Sequence, residues 1–496
     1  MSDLVVVGGG IAGLAAAWEA RRRGADVVLL EASGAAGGKL RTSPVVGVPL
    51  DESADAFLAR VPEAVELCRA VGLGSSLVAP TAGRAYVWVE GALRALPADQ
   101  LLGVPTDLDA VAETGILSAA GVARAREDLV LPDDRPAGDE AVGGLVRRRL
   151  GDEVLDRLVA PLVGGIWAAD CDQLSLGVAT PQLAAARDRD PSLLRGAIAV
   201  REAGLAAAAA GAGAAGVGPG TPDDLAPDAG PGAAAGTRRA GGEPGSGVGT
   251  ASPGTAAGGA GAPVFLAPRG GMGRLVEALV DELGDAVRTG IPVDHVERLG
   301  SRWRVGGFDC DGVVVATPAY NAAQLVEGEA AELLGGIDYA SVVLVALAVP
   351  RAGIDRELDG SGFLVPQSDG RILTACSWVT SKWGHLDVDP DTVILRASAG
   401  RAGDERALDL DDDALVAALL KDLGDTMGLQ AAPIDVRVTR WLRSFPQPRP
   451  GHRDLVASVR ADLPPGLALA GAWVDGVGIP ACIRSGYQAV DAALPA

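Results

Sequence analysis

Aromatic residues and long apolar runs are both scarce in this sequence. Phe, Trp and Tyr together make up 3% of its 496 residues, which leaves little material for an aromatic cage around a ligand. Nowhere do about 18 apolar residues follow one another without a break. The apolar stretch Val5–Trp18 is interrupted by glycines and has no basic segment before it. We therefore expect neither an integral membrane span nor a signal peptide.

Cysteine and histidine are also few, with five and three residues. They form no C-x-x-C pair and no group with the spacing of metal ligands, so we predict no metal site. An odd number of widely spaced cysteines does not fit a disulfide framework, which favours a reducing, cytoplasmic compartment. The positions concerned are Cys68, Cys171, Cys310, Cys376, Cys482, His295, His385 and His452.

Basic residues are outnumbered by acidic ones, 43 to 64, and the formal net charge is -21. A surface of this charge repels the phosphates of nucleic acids and of anionic lipids alike. We therefore expect no nucleic-acid partner. The apolar content of 48% is ample for large buried cores, and the length of the chain predicts two or more domains.

The apolar patterns that are present predict an α/β protein with a sheet-rich second half. Residues 4–7 and 27–30 have the composition of strands and residues 11–23 have the spacing of a helix, which together make a βαβ unit. Short helical patterns dominate residues 107–186. Strand patterns in the second half lie around Val293 and at residues 342–349, 372–378 and 393–397.

Residues 203–262 consist almost entirely of Gly, Ala, Pro, Ser and Thr with a few charges. Such a composition cannot bury enough apolar surface to offset the entropy that is lost when a chain is ordered. We predict a disordered, low-complexity insertion over this range.

The predicted βαβ unit contains Gly8-Gly9-Gly10-Ile11-Ala12-Gly13, which satisfies G-x-G-x-x-G between a strand and a helix. In this pattern Gly8 permits a tight turn, Gly10 lets the backbone approach a pyrophosphate, and Gly13 allows the helix to pack closely on the sheet. The positive end of the helix dipole then receives the phosphate charge. The segment is therefore predicted to bind a dinucleotide.

Glu31 ends the second predicted strand, where an acidic side chain accepts a hydrogen bond from a ribose hydroxyl and repels a 2′-phosphate. This placement predicts an adenosine with a free 2′-OH. The later Gly38-Lys39 pair does not form a P-loop, because Leu40 occupies the position at which Ser or Thr would reach magnesium.

Two segments at opposite ends of the chain resemble those of known flavoenzymes. Residues 31–42 resemble the second diphosphate-binding segment of the flavin amine oxidase superfamily. Residues 469–486 resemble the C-terminal FAD motif of the protoporphyrinogen and coproporphyrinogen oxidases. The version in which Cys482 follows Gly478-Ile479-Pro480 is most similar to the Gram-positive type of coproporphyrinogen III oxidase. The resemblance extends over nearly the whole chain outside residues 203–262.

The resemblance implies FAD as the cofactor and a Rossmann-like FAD-binding domain of the flavin amine oxidase type. On that basis a discontinuous FAD-binding domain comprises residues 1–80, 263–325 and 452–496. A sheet-rich substrate-binding domain comprises residues 81–106 and 326–451, and a helical subdomain comprises residues 107–202.

The same resemblance implies cofactor contacts along the chain. It places Gly38 and Lys39 at the diphosphate, the backbone of Val293 at the adenine, and Trp441 near the isoalloxazine. It also places Val477, Gly478 and Ile479 beside the flavin ring or the ribityl chain. Further cofactor contacts that it implies are Ala32, Ser53, Ala54, Asp55 and Ala56. Two residues depart from the family pattern, since Ser53 and Ala169 both stand where glycine is usual.

The resemblance also implies a reaction, in which coproporphyrinogen III loses six electrons in three two-electron steps and oxygen is reduced to hydrogen peroxide. FAD carries the redox chemistry, so an obvious catalytic base is not required, and we assign none. We hypothesise that Arg84 pairs with a substrate propionate, because a guanidinium binds a carboxylate through two hydrogen bonds. From the family context, a ferrochelatase is expected as a transient partner.

Three other functions stay open on the sequence alone. Protoporphyrinogen IX is the alternative substrate, but enzymes that handle it generally need a membrane-facing entrance, and this chain offers no basic amphipathic anchor. An amine oxidase or a carotenoid-type desaturase would share both flavin segments, although few aromatic residues are present to line an amine site. A flavin-bound scaffold or redox sensor would bind FAD without consuming oxygen.

Overall fold

The chain begins with the predicted βαβ unit. Strand Ser2–Val7 leads through three glycines into helix Ile11–Arg22, and strand Val27–Glu31 returns parallel to the first strand. Leu4 and Val6 belong to one apolar core, whereas Val5 and Val7 belong to another on the opposite face. Burial on both faces explains why the strand is continuously apolar and not alternating.

This unit is part of a larger sheet. The computed structural model describes residues 2–214 and 263–494, with side chains described as far as residue 206 before that gap. Residues 1–202 and 263–496 form one unit, and residues 203–262 form a second. Within the described residues, the first sheet has seven strands, which we call the nucleotide sheet. Six of them follow the order Val287–Thr289, Val27–Glu31, Ser2–Val7, Phe308–Val315, Arg302–Val305 and Val296–Leu299, and Leu467–Leu469 also pairs with Phe308–Val315.

The two ends of the chain pack against each other. The last helix, Ile479–Ala493, lies against the first helix, Ile11–Arg22. The two approach so closely that a Cβ at Gly486 would lie 2.3 Å from the carbonyl oxygen of Ala12. A side chain at this position would therefore push the helices apart.

A second seven-stranded sheet, the large sheet, is built mainly from the second half of the described chain. Its strands follow the order Asp435–Pro446, Tyr339–Pro350, Thr392–Ala399, Leu373–Trp378, Gly362–Leu364, Tyr86–Val89 and Ala92–Ala95. Neighbouring residues of a strand point to opposite faces. Val345 packs in a core with helix Asp412–Met427, whereas Ala346 packs in the core of the βαβ unit. The large sheet is thus held between that helix and the core of the βαβ unit.

Helices between residues 107 and 214 enclose a core of their own. An ion pair joins Arg149 to Asp128, with side chains 2% and 0% exposed and an Nε–Oδ1 distance of 2.5 Å. Pro161 has no N–H to donate, and the helix around it widens into a π-helix. The helical elements are Leu108–Thr114, Ala119–Glu127, Val142–Leu150, Asp152–Val154, the π-helix Leu155–Gly164, Gly165–Trp167, Leu176–Ala179, Pro181–Arg189 and Leu193–Ala214.

Shorter elements complete the fold. Further α-helices are Pro62–Ala70, Gly273–Leu283, Ala319–Ala322, Glu329–Gly335, Val379–Lys382, His452–Asp462 and Ala472–Asp475. Three-ten turns are Gly74–Ser76, Gly284–Ala286, Arg351–Gly353 and Gln367–Asp369. Short strands are Thr42–Val45, Val48–Asp51, Phe57–Leu58, Leu77–Val78, Gln100–Leu101, Val104–Pro105 and Phe265–Pro268. In the described ranges, none of the helices combines the length and apolarity that a bilayer crossing requires.

The structure confirms the mixed α/β class and the sheet-rich second half, and it corrects two details. The strand predicted around Val293 is wrong, since Val293 lies in an irregular segment and the strand begins at Val296. The predicted insertion boundary at Ala203 falls inside helix Leu193–Ala214, because alanine favours the helix even where little apolar surface is buried. The rest of the predicted insertion, residues 215–262, lies outside the described residues.

Candidate active site

The glycine loop, residues 8–10, joins the first strand to the first helix. Gly8 has a φ of 105°, and a Cβ there would lie 2.7 Å from the carbonyl oxygen of Ala316. A Cβ at Gly13, in the first turn with Ile11 and Ala12, would lie 1.9 Å from the carbonyl oxygen of Gly8. Both positions therefore require glycine for packing within the protein.

Gly10 differs from its neighbours because it faces open space. A Cβ built on Gly10 meets no described atom within 4 Å, and its φ of -72° is acceptable for other residues. No side chain caps the helix that begins at Ile11. The first-turn amides and the positive end of the helix dipole are therefore accessible beside Gly10, as a diphosphate would require.

Glu31 holds the loop from the end of the second strand. One carboxylate oxygen accepts a hydrogen bond from the Gly9 amide at 2.7 Å, and the other accepts bonds from the amide and hydroxyl of Ser33. Each carboxylate oxygen has further lone-pair capacity, so a ribose hydroxyl can still be bound. Ala32 lies exposed next to it. The Ile291 amide bonds to the Glu31 carbonyl at 2.9 Å, which brings the segment leading to Val293 beside Glu31.

The second glycine segment, residues 36–39, lies directly on the glycine loop. The Gly37 amide donates to the Gly9 carbonyl at 2.7 Å, and Gly38 lies against the backbone of Gly10. Lys39 follows and is half-buried. Burial lowers its pKa, an effect that the nearby Cys482 thiol opposes. Among the described residues, the Lys39 ammonium has neither a hydrogen-bond acceptor nor a carboxylate partner.

An unpaired, partly desolvated ammonium beside an uncapped helix N-terminus and an open glycine position suits a bound anion. Phosphate oxygens would take up the hydrogen bonds that Lys39 and the first-turn amides lack in the protein itself. The residues of this part of the site therefore fit the diphosphate of FAD.

The C-terminal loop, residues 476–478, approaches the same region from the other end of the chain. Gly478 begins helix Ile479–Ala493, which also lacks a side-chain cap. Cys482, in the first turn, is buried, and burial raises the pKa of its thiol to about 11. Cys482 lies in the same buried core as Leu40, the residue after Lys39, so this first turn packs near the second glycine segment. Val477 packs against the core of the helices that follow residue 107, which we call the helical part.

The linking segment, residues 52–56, connects the glycine segments to the large sheet. The Ser53 hydroxyl donates to the Lys39 carbonyl, while the Ser53 carbonyl accepts a bond from Arg396 at 2.8 Å. Asp55 forms ion pairs with Lys382 at 2.8 Å and with Arg396 at 3.2 Å. Burial by itself would raise the pKa of Asp55, but Arg396 and Lys382 outweigh it and hold the pKa well below its usual value.

Asp55 is therefore paired with Arg396 on the large sheet and with Lys382 at the end of helix Val379–Lys382, and Ala54 and Ala56 flank it in the same irregular segment. Lys382 and Arg396 were not predicted as site residues. The sequence signal for them is weak, because Lys382 only follows the apolar strand pattern of residues 372–378 and Arg396 only interrupts that of residues 393–397.

Trp441 lies on the large sheet beside the linking segment. Its indole N–H donates to the Glu52 carbonyl at 2.8 Å, and the Arg41 guanidinium lies 4.6 Å from its ring centroid. Trp441 also packs against a small apolar cluster. Its members are Ala168, Ala340, Val342, Ala402 and Phe445. The structure thus brings Trp441 to the predicted cofactor segment, although its contact with the flavin ring stays a prediction.

The helical part closes the site next to this cluster. A Cβ at Gly476 would lie 3.6 Å from the ring of Trp167, so the C-terminal loop and the helical part are in contact. Ala168, the next residue, has a φ of 50°, which is uncommon for a residue other than glycine. Ala169 follows it and is buried. The site is therefore bounded by both glycine segments, the C-terminal loop, the large sheet and the helical part.

Arg84 stands apart from these contacts. Its side chain is 60% exposed and pairs with Asp359 at 2.9 Å, and Asp359 also accepts a hydrogen bond from the Tyr86 hydroxyl. Arg84 is therefore already engaged by a carboxylate of the protein. Its predicted contact with a substrate propionate stays a prediction.

Comparison with known proteins places the chain among flavoenzymes. The model of the family described as "Flavin containing amine oxidoreductase" matches residues 11–494. The chain is 32% identical to the Coproporphyrinogen III oxidase of Bacillus subtilis (strain 168), over 100% of this chain and 99% of the relative. It is 34% identical to the Coproporphyrinogen III oxidase of Mycobacterium tuberculosis, over 99% of this chain and 97% of the relative.

A solved structure shows the same full-length similarity. It is that of a provisionally named protoporphyrinogen oxidase from Exiguobacterium sp. 255-15, with a TM-score of 0.78 and 28% sequence identity. The match covers 99% of this chain and 98% of that one. The fold of this chain is thus similar to that of the other protein over nearly the full length of both.

Proposed function

The chain belongs to the flavin containing amine oxidoreductase family, and we propose that it oxidises coproporphyrinogen III to coproporphyrin III with FAD as its cofactor. One observation carries the choice of substrate. Relatives named Coproporphyrinogen III oxidase are 32% and 34% identical to this chain over nearly their whole length. The uncapped first helix, open at Gly10 and flanked by the unpaired Lys39, supports the cofactor.

When bound, FAD supplies the hydride acceptor for the oxidation of a carbon atom of the substrate. The protein's own residues would hold and orient it. The glycine loop and Lys39 would bind the diphosphate, and Glu31 would accept a hydrogen bond from the ribose. The uncapped helix that begins at Ile479 presents its positive end to the site, where it would stabilise negative charge.

The apolar part of the site would keep water from the reacting carbon. Trp441, Trp167 and the buried Ala168 lie there, and apolar side chains offer no partners to an ordered water molecule. No side chain of this region is assigned as a catalytic base.

The proposal includes three finer points. Oxygen is the electron acceptor and is reduced to hydrogen peroxide, and a ferrochelatase is a transient partner that receives the product. The enzyme works in the cytoplasm, which the five buried, unpaired cysteines support because reducing compartments keep thiols free.

The test is a direct assay of the purified protein after reconstitution with FAD. Coproporphyrinogen III and protoporphyrinogen IX are supplied separately, and porphyrin fluorescence and hydrogen peroxide are followed together. We expect faster turnover of coproporphyrinogen III and one peroxide for every two electrons removed. Faster turnover of protoporphyrinogen IX would replace the proposed substrate with the second candidate, which the similarity to the Exiguobacterium structure favours.

Two further outcomes would point outside porphyrin chemistry. Oxidation of a polyamine in the same assay would indicate an amine oxidase. Retention of FAD with no oxygen consumption on any reduced porphyrinogen would indicate a flavin-bound scaffold or sensor.

A further inference from the structure

Most cationic side chains in the described part of the chain have a protein partner or are exposed to water. Seven of its arginines have no hydrogen bond, ion pair or ring contact through the guanidinium: Arg60, Arg69, Arg189, Arg269, Arg288, Arg401 and Arg460. Six of these seven are exposed, and Arg401 is not. Of the three lysines, Lys382 and Lys421 are paired, whereas the half-buried Lys39 is unpaired. Within the described ranges, Lys39 and Arg401 are therefore the lysine and the arginine that are half-buried and have no hydrogen-bond, ion-pair or ring partner for the charged group.

Arg401 lies beside the candidate active site. It begins a tight turn immediately after strand Thr392–Ala399 and Gly400. The next residue, Ala402, donates its amide hydrogen to the Ala168 carbonyl at 2.7 Å and packs in the cluster that contains Trp441. Arg401 is thus one residue from the wall that joins the large sheet to the helical part.

The surroundings of Arg401 explain why it has no partner in the protein. Its Nε atom is fully buried and makes no hydrogen bond among the described residues. Asp404, an acidic group that acts electrostatically on Arg401, accepts two hydrogen bonds from Arg406 at 2.8 and 2.7 Å. Arg406 therefore occupies the carboxylate of Asp404, and the Arg401 guanidinium makes no ion pair with it. Burial lowers the pKa of Arg401, an effect that Asp404 opposes and Arg406 reinforces.

We propose that Arg401 binds a propionate carboxylate of the porphyrinogen substrate. This inference rests on the proposed function and adds the residue that recognises the charged edge of the substrate. A guanidinium presents two parallel N–H groups to a carboxylate, and a partly desolvated guanidinium gains more from this pairing than an exposed one. The two unpaired cations then have matching roles, since Lys39 faces the anionic group of the cofactor and Arg401 that of the substrate.

The assignment differs from the hypothesis for Arg84. Arg84 is 60% exposed and bonded to Asp359, so binding a propionate there would first break an existing ion pair. Arg401 has no such pair to break. Its main-chain neighbour contacts the Trp441 cluster, whereas the Arg84 side chain contacts Asp359 at the outer end of strand Tyr86–Val89.

The experiment compares the flavin-loaded wild type with Arg401→Met, Arg401→Lys and Arg84→Met. The substrates are coproporphyrinogen III and its tetramethyl ester, which has no carboxylates. We expect Arg401→Met to raise KM for the acid about tenfold to a hundredfold and to leave KM for the ester within about twofold, because one charge-assisted contact is lost. Arg401→Lys should recover part of the affinity. Arg126→Met, which removes an exposed arginine paired with Asp109, is the matched control.

Two further measurements distinguish this role from a structural one and from failure of the proposed function. The ligand-free Arg401→Met protein should unfold at the same or a higher temperature, because an uncompensated charge is removed. Binding of coproporphyrin III, followed by fluorescence, should weaken in Arg401→Met whether or not the wild type turns over. A wild type that binds the porphyrin and oxidises no porphyrinogen would refute the proposed function alone. Equal KM and equal binding in Arg401→Met and wild type would overturn the assignment, as would a raised KM in Arg84→Met only.

Discussion

At the scale of single residues, the candidate site contains groups that the protein itself leaves without a partner. Gly10 faces open space, the first helix has no cap, and Lys39 has no anion among the described residues. Glu31, in contrast, is already used to hold the glycine loop through the Gly9 amide. Residues with a protein partner shape the site, and residues without one are available to a ligand. Substitutions at neighbouring positions of the site are therefore expected to have different effects, some on cofactor binding and some on stability.

Replacing Lys39 should affect the cofactor and leave the fold intact. We expect Lys39→Met to weaken FAD binding by about tenfold to a hundredfold, because one charge-assisted contact to the diphosphate is removed. FAD affinity is measured by titration of the apoprotein with flavin fluorescence as the signal. Lys421→Met is the control, since Lys421 is exposed and pairs with Asp425 on the helix behind the large sheet. An unchanged FAD affinity in Lys39→Met would contradict the assignment.

Gly10 and Gly13 should respond differently to the same small change. Gly10→Ala fits the apoprotein and should keep or slightly raise its free energy of unfolding, because alanine restricts the unfolded chain. Its methyl group would occupy the space where the diphosphate approaches, so FAD binding should be lost. Gly13→Ala would place a methyl group 1.9 Å from the Gly8 carbonyl oxygen and should destabilise the fold itself. Denaturant unfolding of both apoproteins, with a flavin titration, separates the two effects. Equal loss of stability in both variants would refute this distinction.

Asp51 should make stability depend on pH. Burial raises its pKa to about 6, although hydrogen bonds from Thr42 and the Met272 amide oppose the change. Since the folded value lies above that of a free carboxyl, folding favours the protonated form. The contribution of Asp51 to stability therefore falls as pH rises from about 4 to about 6 and stays low above that.

The corresponding variant is Asp51→Asn, which keeps the shape and cannot ionise. Between pH 4 and pH 7.5 the apoprotein of this variant should gain about 2 to 3 kcal/mol relative to wild type, as the difference in pKa requires. Urea unfolding at several pH values gives this difference directly. Parallel stability curves for the two proteins would show that Asp51 is not the titrating group.

At the scale of elements, the start of helix Leu193–Ala214 is fixed by a buried charge network. Asp128 accepts hydrogen bonds from the Ser192 hydroxyl and the Leu194 amide and pairs with Arg149. Removing one partner leaves a buried charge uncompensated, so Arg149→Met should lower the free energy of unfolding by about 3 to 5 kcal/mol. Arg274→Met breaks the exposed pair with Glu277 and should change it by less than about 0.5 kcal/mol. Similar values for the two variants would contradict the structural role of the buried pair.

Elements with strong local signals could be predicted from the sequence. Residues 342–349 are continuously apolar because strand Tyr339–Pro350 is buried on both faces, and this run predicted the strand. The strand predicted around Val293 is wrong because Pro292, next to it, has no N–H for a strand ladder, and the strand begins three residues later at Val296. The helix through Ala214 is not predicted by composition alone, because the same low-complexity residues that indicate disorder include a run of alanines with high helix propensity.

At the scale of the whole molecule, the main prediction was that both ends of the chain contribute to one site. The glycine pattern and the C-terminal motif carried it, and Leu40 of the second glycine region and Cys482 of the C-terminal motif lie in the same buried core. Pairing between distant side chains was not predictable in the same way. The capture of Asp404 by Arg406, which leaves Arg401 unpaired, depends on a turn that no sequence pattern specifies.

The remaining prediction concerns residues 215–262, which lie outside the described residues and which we propose to be dispensable for cofactor binding. The variant replaces them with a short Gly-Ser linker, and a second variant replaces them with a Gly-Ser linker of equal length. We expect both to bind one FAD per chain with wild-type affinity, since every predicted cofactor contact lies in residues 8–56, 293 and 441–479. The shorter linker should also stabilise the protein slightly, by about 0.6 kcal/mol for each halving of a flexible connection. Loss of FAD from the equal-length variant would show that the native residues of this range take part in the site.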